Sequence, residues 1–342
     1  MPKDSVYQDV SEIIGNTPLV RLRSLEQIVK GKVYAKLEGL NPGLSTKDRI
    51  VLHMLEVAEK EGKIKPGGTV IEATSGNTGF SLAMISATKG YKCILTMKDK
   101  ISKTKVEMIE AMGGTVIICP SNVKPDDPKS YFSVAKKLNK QIPNSHYLNQ
   151  NFNIGNMEAH YLGTGKEIWE QTEGKLTYFL ACASTGGTIS GTAKYIKERN
   201  PNVRVVAVDS EGSLLSPYFK TGEIDNSVSG STQLEGVGKK IIPGNIEFSL
   251  IDRFITVEDK ASAHAAYQLA RTEGLLMGYS SGAAIEGLKQ LNDELTDDDI
   301  TVILLSDHGA KYLTKIYNKQ WMKDQGFWTE ELEPEPLEAA YL

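Results

Sequence analysis

The sequence predicts an α/β protein in which two units, each built on a mainly parallel sheet, face each other across a cleft. Short apolar runs alternate along the chain with amphipathic stretches, the pattern of strands joined by crossover helices. The runs are mostly apolar and show no polar alternation, as expected for strands that are covered on both faces. With 342 residues, the chain also exceeds what a single core usually supports.

Each predicted element follows from its local pattern. The strands are short, continuous apolar runs, predicted at 33–37, 69–73, 93–97, 115–119, 178–183, 203–208, 254–257 and 301–305. Amphipathic stretches between them predict helices at 48–60, 78–89, 102–112, 188–199, 259–273 and 283–291. The stretch 141–155 is rich in Asn, Pro and Gly and shows no period, so it is the expected crossing between the two units.

Composition and charge exclude several classes of protein. Hydrophobic residues make up 40% of the chain and charged residues 24%, ordinary values for a globular protein rather than a disordered or coiled-coil one. No run reaches the roughly 18 apolar residues of a membrane span, and the N-terminus lacks a secretory pattern. The net charge of −4 argues against non-specific binding of nucleic acid. The acidic segment 329–342 is expected to be mobile.

Cysteine and histidine usage predicts a cytoplasmic protein without a metal. Cys93, Cys119 and Cys182 lie in apolar runs and form no CxxC pair. The five histidines show none of the close spacings of zinc sites. We therefore expect reduced thiols with a structural role.

The segment NPGLSTKDRI, at 41–50, places a lysine at the start of a predicted helix. Lys47 comes just before Asp48, and Ser45 or Thr46 can cap the helix. Because the helix dipole puts partial positive charge at this end, a cation is disfavoured and the amine becomes more nucleophilic. A Schiff-base lysine needs this property, although most lysines at helix starts are simply solvated.

Two strand-to-helix loops offer clustered donors to anions. The loop ATSGNTG, at 73–79, combines hydroxyls, an amide and glycines at a helix N-terminus, which suits a carboxylate or a phosphate better than a simple cap does. The loop STGGT, at 184–188, offers successive N–H groups and hydroxyls. Because it matches neither GxGxxG nor the P-loop, we favour a non-nucleotide phosphate there, the alternative being a tight turn.

These features form a specific set only when they are taken together. The segment GYSSGAA, at 278–284, is by itself typical of an ordinary capped helix. A poised lysine, a phosphate loop and a carboxylate loop, however, are what pyridoxal phosphate requires when it holds an amino acid.

Six segments in this order resemble the cysteine synthase and cystathionine β-synthase family: IGNTPLVRL, NPGLSTKDRI, EATSGNTG, STGGTISG, LEGVG and GLLMGYSSGA. The resemblance runs from about Val10 to Phe327 and is closer to the catalytic core of cystathionine β-synthases. It implies two three-layer α/β domains with mainly parallel twisted sheets, the tryptophan synthase β-like fold type II. Residues 1–40 and 151–328 would form the larger domain and hold the cofactor phosphate, and residues 41–150 would form a smaller, mobile domain.

The resemblance also implies the roles of individual residues. Lys47 corresponds to the Schiff-base lysine and proton carrier, Asn77 to the asparagine on the ring hydroxyl of pyridoxal phosphate, and Ser280 to the serine that faces the ring nitrogen. The phosphate loop corresponds to Ser184, Thr185, Gly186, Gly187 and Thr188. The carboxylate clamp and the closing loop of the substrate site correspond to Thr74, Ser75, Gly76, Thr78, Gln150, Gly236 and Gly238.

Among the residues that depart from the family pattern, two could affect the expected pocket. Tyr279 stands where the family has a glycine and could narrow the pocket. Lys239 follows GVG where vertebrate-like cystathionine synthases have an aromatic residue, and it could either attract the carboxylate of homocysteine or be solvated.

The resemblance further implies a homodimer, with no haem-ligating extension and no regulatory domain pair. Three aromatic residues near the C-terminus, Trp321, Phe327 and Trp328, are apolar enough to belong either to an interface or to the core.

The implied reaction is a pyridoxal phosphate-dependent β-replacement that proceeds through an aminoacrylate. L-Serine or L-cysteine would react with L-homocysteine to give L-cystathionine and water or hydrogen sulfide. Two alternatives stay open: an O-acetylserine sulfhydrylase that uses sulfide, and a non-catalytic scaffold that binds an amino acid in the same cleft.

Overall fold

The computed structural model describes residues 6–74, 76–225, 227 and 230–333, which form two sheets with helices on both faces of each. Within these residues the strands are β1 (Leu19–Arg21), β2 (Lys32–Leu37), β3 (Thr69–Ala73), β4 (Lys92–Lys98), β5 (Thr115–Cys119), β6 (Ser145–Tyr147), β7 (Tyr178–Cys182), β8 (Arg204–Ser210), β9 (Arg253–Val257) and β10 (Ile300–Leu305). The helices are α1 (Lys47–Lys60), α2 (Asn77–Lys89), α3 (Lys103–Ala111), α4 (Tyr131–Gln141), α5 (Gly155–Ala159), α6 (Lys166–Gln171), α7 (Gly187–Lys197), α8 (Leu215–Thr221), α9 (Asp259–Glu273), α10 (Tyr279–Leu291) and α11 (Lys319–Asp324).

The larger sheet has the strand order β1-β2-β10-β7-β8-β9, and its neighbouring strands are parallel except for β1 and β2. In β8, Val206 and Val208 belong to the core that contains α9 and α10, whereas Val205 and Ala207 belong to the core that contains α7. Because both faces are buried, the middle of the strand, residues 205–208, is apolar at every position.

The smaller sheet has the order β5-β4-β3-β6 and is parallel throughout. Val70 of β3 packs in the core formed with α1 and α2, and Ile71 packs on the opposite side against Ala135 of α4. The smaller sheet is therefore also covered on both faces.

All eight predicted strands are present, with ends within two residues of the prediction. The sequence pattern does not predict β1 and β6, because strands of three residues are too short to show a period. The strand β6 lies inside the stretch 141–155, which was expected to be the crossing between the two units. The helix expected at 283–291 begins earlier, at Tyr279.

A buried ion network joins α1 to the larger sheet. The guanidinium of Arg49 contacts Glu38 (Nε to Oε2, 2.7 Å) and Glu167 (Nη1 to Oε1, 2.7 Å). Lys36 Nζ also lies 2.6 Å from Glu167 Oε2. Although burial alone would raise the pKa of the Glu167 carboxyl, the Arg49 and Lys36 cations lower this pKa to about 2. The network thus anchors the helix that begins at Lys47.

The C-terminal aromatic residues belong to the core rather than to an exposed face. Trp321, Phe327 and Trp328 are partly buried and pack against the core of the larger sheet. Residues 329–333 of the segment that was expected to be mobile also pack there: Leu332 is 2% exposed, and its carbonyl accepts a hydrogen bond from Arg271. The remainder of that segment, 334–342, lies outside the described residues.

The described helices include none with the length and hydropathy needed to cross a bilayer. Across the same residues, no three His, Cys, Asp or Glu side chains are grouped so that they could hold a metal ion. Cys93 and Cys119 are buried and Cys182 is partly buried, and all three are free thiols.

Candidate active site

A cleft of about 790 Å³ lies where strands of both sheets end. Thr74 after β3, Ser184 after β7 and Ser306 after β10 line it together with the start of α1. Ligand sites of open α/β sheets occur at the carboxyl ends of strands in this way. The cleft contains the predicted residues Lys47, Thr74, Gly76, Asn77, Thr78, Gln150, Ser184, Thr185, Gly186, Thr188, Gly236, Gly238 and Ser280.

One predicted residue is placed differently. Gly187 does not line the cleft; a Cβ atom there would lie 2.0 Å from Asn156 Oδ1, so its lack of a side chain lets the loop pack on Asn156. Ser75 lies outside the described residues.

Lys47 is the first residue of α1, and its side chain reaches the cleft. Burial lowers the pKa of its amine to about 8, an effect that the nearby carboxylates of Asp307 and Glu38 partly oppose. At pH 7, a pKa of about 8 leaves roughly one amine in ten neutral, far more than for an ordinary lysine. The lysine is therefore poised for nucleophilic chemistry, mainly because it is desolvated.

The loop between β7 and α7 presents unpaired donors to the cleft. Within the part of the chain that the structure describes, no acceptor faces the backbone N–H groups of residues 185–188. Gly186 has a φ of +87°, and a Cβ atom there would lie 2.4 Å from Ile246, so glycine is needed for this close approach. Four N–H groups at the start of an eleven-residue helix form an anion site.

Two side chains beneath this loop orient its hydroxyls. Asn156 Nδ2 donates to Thr185 Oγ1 at 3.1 Å, which leaves the Thr185 hydroxyl hydrogen available. His160 Nε2 lies 3.1 Å from Thr188 Oγ1, and burial, with the charges of Lys47 and Arg49, lowers the pKa of the imidazole to about 3. The neutral ring therefore supports Thr188 without adding charge.

The loop between β3 and α2 forms a second donor group, together with Gln150. Thr78 donates its hydroxyl hydrogen to Gln150 Oε1 at 2.7 Å, so the NH₂ of that amide is left to donate elsewhere. Thr74 Oγ1 accepts from the Gly76 N–H at 3.2 Å and keeps its own hydroxyl hydrogen. Since the remaining groups are donors, this part of the cleft suits a carboxylate.

Ser280 is 4% exposed and lines the cleft at the start of α10. Its carbonyl lies 3.1 Å from the thiol of Cys182. The neighbouring Tyr279 does not narrow the pocket, so that expectation is wrong. It is fully buried in the core, and its hydroxyl donates to the Asp259 carbonyl at 2.8 Å.

The segment 234–239 closes one side of the cleft. Gly238 is held in place, since its N–H donates to the Ala183 carbonyl at 2.8 Å, whereas Gly236 is exposed. Glu235 forms ion pairs with both Lys105 of α3 and Lys315. Because α3 belongs to the smaller sheet's unit, these ion pairs connect the two sides of the cleft mouth.

The cleft wall carries a further cation. Lys239 lines the cleft, and within the described residues its Nζ atom has no acceptor. Burial, followed by the charges of Lys47 and Lys98, lowers the pKa of Lys239 to about 8. Burial also raises the pKa of the nearby Glu72 carboxyl to about 8, so that carboxyl offsets little of the positive charge at pH 7. The cleft is therefore electropositive.

The comparisons with known proteins agree with this geometry. A family model described as "Pyridoxal-phosphate dependent enzyme" matches residues 10–307. The chain belongs to this family. It is 44% identical over 324 residues to a cystathionine beta-synthase from Apis mellifera, and the match covers 94% of this chain and 64% of that relative. The chain thus spans less than two thirds of that relative's length.

Two further similarities concern other members. A cysteine synthase from Staphylococcus aureus is 39% identical over 313 residues, which cover 91% of this chain and 97% of that protein. The crystal structure of a hydrogen sulfide-producing enzyme from Fusobacterium nucleatum matches with a TM-score of 0.83 and 37% identity, covering 91% of this chain and 99% of the other. The predicted fold class, the enzyme class and pyridoxal phosphate as cofactor are confirmed.

The residues present fit the cofactor. The unpaired N–H groups of residues 185–188 match a phosphate, and the lowered pKa of Lys47 matches an amine that must react with an aldehyde. Asn77 and Ser280 lie in the same cleft and offer polar groups to the ring.

Sequence reasoning misses the residues that support this site from below. Asn156 and His160 fall between the predicted elements, and no residue pattern distinguishes them from ordinary polar residues. Asp307 and Lys311, which contact Asn77, follow β10 and lie 230 and 234 positions away in the chain. Their role becomes visible only when the two sheets are brought together.

Proposed function

We propose that the chain catalyses β-replacement of the cystathionine β-synthase type. L-Serine or L-cysteine would react with L-homocysteine to give L-cystathionine and water or hydrogen sulfide. The observation that carries this proposal is the amine of Lys47, with a pKa of about 8, in a cleft between two separate groups of donors. One group suits the cofactor phosphate and the other suits the substrate carboxylate.

In the proposed reaction, each residue of the cleft has a separate role. Pyridoxal phosphate, when bound, supplies an electron sink that makes the Cα hydrogen of an amino acid acidic. Lys47 would take that proton, and the β-substituent would leave and be protonated to water or hydrogen sulfide. The thiol would lose its proton as it adds at Cβ, and Lys47 would return a proton to Cα. Ser280 offers the ring nitrogen a neutral hydroxyl rather than a carboxylate, which favours β-elimination over transamination. Thr74, Thr78 and Gln150 orient the substrate carboxylate, so the Cα–H bond faces Lys47.

The choice of homocysteine as second substrate is supported by Lys239. Homocysteine carries a carboxylate, and Lys239 provides an unpaired cation on the cleft wall beside Lys47. Sulfide needs no such partner. The cystathionine beta-synthase relative, at 44% identity, supports the same choice.

The experiment that tests the proposed function is product analysis with two substrate pairs. The kcat/KM for forming cystathionine from serine and homocysteine should exceed the kcat/KM for forming cysteine from O-acetylserine and sulfide. The opposite ranking would assign the chain to the cysteine synthases, to which its similarity to the Staphylococcus aureus protein points.

Replacing Lys239 with methionine should raise KM for homocysteine by roughly tenfold, since a hydrogen bond to a charged group contributes about 1.5–3 kcal/mol. KM for serine should change little. Steady-state kinetics with each substrate varied separately would measure this difference. Lys239→Arg keeps the charge and should retain most of the affinity. An unchanged KM for homocysteine in the methionine variant would exclude this role for Lys239.

The non-catalytic scaffold is tested by a spectrum. A protein that shows no visible absorption band after pyridoxal phosphate is added would favour the scaffold. The homodimer and the cytoplasmic location remain predictions that rest on the family resemblance and on cysteine usage.

A further inference from the structure

The side-chain amide of Asn77 is held between two buried charged groups. Its oxygen accepts a hydrogen bond from Lys311 Nζ at 2.9 Å, and its nitrogen donates to Asp307 Oδ2 at 2.7 Å. An ammonium group can only donate and a carboxylate can only accept. The two partners therefore determine which end of the amide is oxygen and which is nitrogen.

These partners are themselves held firmly. Asp307 is fully buried, and Oδ2 accepts a second hydrogen bond from the Tyr312 hydroxyl at 2.8 Å. A Cβ atom at Gly278 would lie 1.8 Å from Asp307 Oδ1, so this oxygen packs directly against the glycine backbone. Lys311 Nζ also donates to the Gly43 carbonyl at 2.8 Å, which fixes it close to the start of α1.

The arrangement leaves part of the amide unused. An amide nitrogen carries two hydrogens, and only one is directed at Asp307. Asn77 lines the cleft beside Lys47, so the second hydrogen is available to a ligand. If the amide rotated by half a turn, its oxygen would replace this donor and would repel an electron-rich ligand oxygen.

We propose that Lys311 and Asp307 are positioning residues, which act through Asn77 to present an N–H donor to the ring oxygen of pyridoxal phosphate. This inference rests on the proposed function, because it takes that cofactor as the ligand.

A double-mutant cycle on the affinity for pyridoxal phosphate tests the proposal. Lys311→Met should raise the dissociation constant by roughly tenfold, as expected for loss of a hydrogen bond that involves a charged group, and should shift the visible absorption band. In the Asn77→Ala background, the same change should have less than about a twofold effect, because the amide through which Lys311 acts is gone.

The outcomes separate the proposal from a structural role of Lys311. Equal effects in both backgrounds would mean that Lys311 acts through the Gly43 carbonyl, and the proposal would be overturned. An unchanged dissociation constant and band in Lys311→Met would overturn it as well. Lys311→Arg keeps a charged donor and should restore most of the affinity. If Lys311→Met does not fold, Asp307→Ala, which removes the acceptor of the Asn77 amide nitrogen, enters the same cycle with the same expectation.

An experiment on the unsubstituted protein distinguishes failure of the positioning role of Lys311 from failure of the proposed function. Borohydride reduction with pyridoxal phosphate, followed by peptide mass spectrometry, should label Lys47. Absence of that label would contradict the proposed function itself, whereas a labelled Lys47 with additive effects of the two substitutions would contradict only the role of Lys311.

Discussion

Replacing Lys47 with alanine is expected to lower turnover by at least about a thousandfold, because the amine that accepts the Cα proton is then missing. The variant should also lose covalent attachment of pyridoxal phosphate and the visible absorption band that accompanies it. Activity assays and absorbance spectra of the same preparation would measure both losses. The fold should persist, since the Lys47 side chain makes no ion pair among the described residues.

The chain offers a matched control for this substitution. Lys103 is also the first residue of a helix, but its side chain is 90% exposed and it does not line the cleft. Lys103→Ala should therefore leave both the spectrum and the turnover unchanged. If Lys47→Ala retained the absorption band and activity, the proposed catalytic role of Lys47 would be wrong.

Replacing Arg49 with methionine is expected to lower the free energy of unfolding by about 3–5 kcal/mol, the usual cost of removing one partner from a buried ion pair. Glu38 is fully buried and would lose the guanidinium that lies 2.7 Å and 2.8 Å from its two carboxylate oxygens. Glu167 would keep only Lys36 as a cationic partner. Unfolding in urea, followed by circular dichroism, would measure the change.

Arg21 provides the comparison. Its guanidinium also makes two hydrogen bonds to one carboxylate, that of Glu26, at 2.8 Å and 2.7 Å, but its side chain is 44% exposed. Since water solvates both partners when such a pair is broken, Arg21→Met should have a much smaller effect. Similar losses in the two variants would show that burial of the Arg49 network contributes little to stability.

Most of the fold could be predicted, because most of the predicted strands are buried on both faces and their apolar character is readable without knowledge of their neighbours. Element β8 shows this, since its alternate residues enter two different cores. Elements β1 and β6 have three residues each, and their pairing partners rather than their own sequence make them strands. The Tyr279 prediction is wrong because its side chain points toward α9 and away from the cleft.

Most of the candidate site could also be predicted, for a related reason. A loop such as STGGT carries its chemistry in its own backbone N–H groups, so its affinity for an anion does not depend on distant residues. The buried charges differ in this respect. Arg49, Glu38 and Glu167 look like ordinary surface charges in the sequence, and only their burial makes them a network.

By itself, the sequence determines the strand–helix alternation, the nucleophilic lysine and the two donor loops, since each depends on residues that are close along the chain. Only the tertiary structure decides that Asn77 meets Asp307 and Lys311, that burial lowers the pKa of Lys47, and that Lys239 faces the same cleft. The reason is that hydrogen bonds and desolvation act over a few ångströms in space, whereas Asn77 is separated from Asp307 and Lys311 by 230 and 234 positions in the chain.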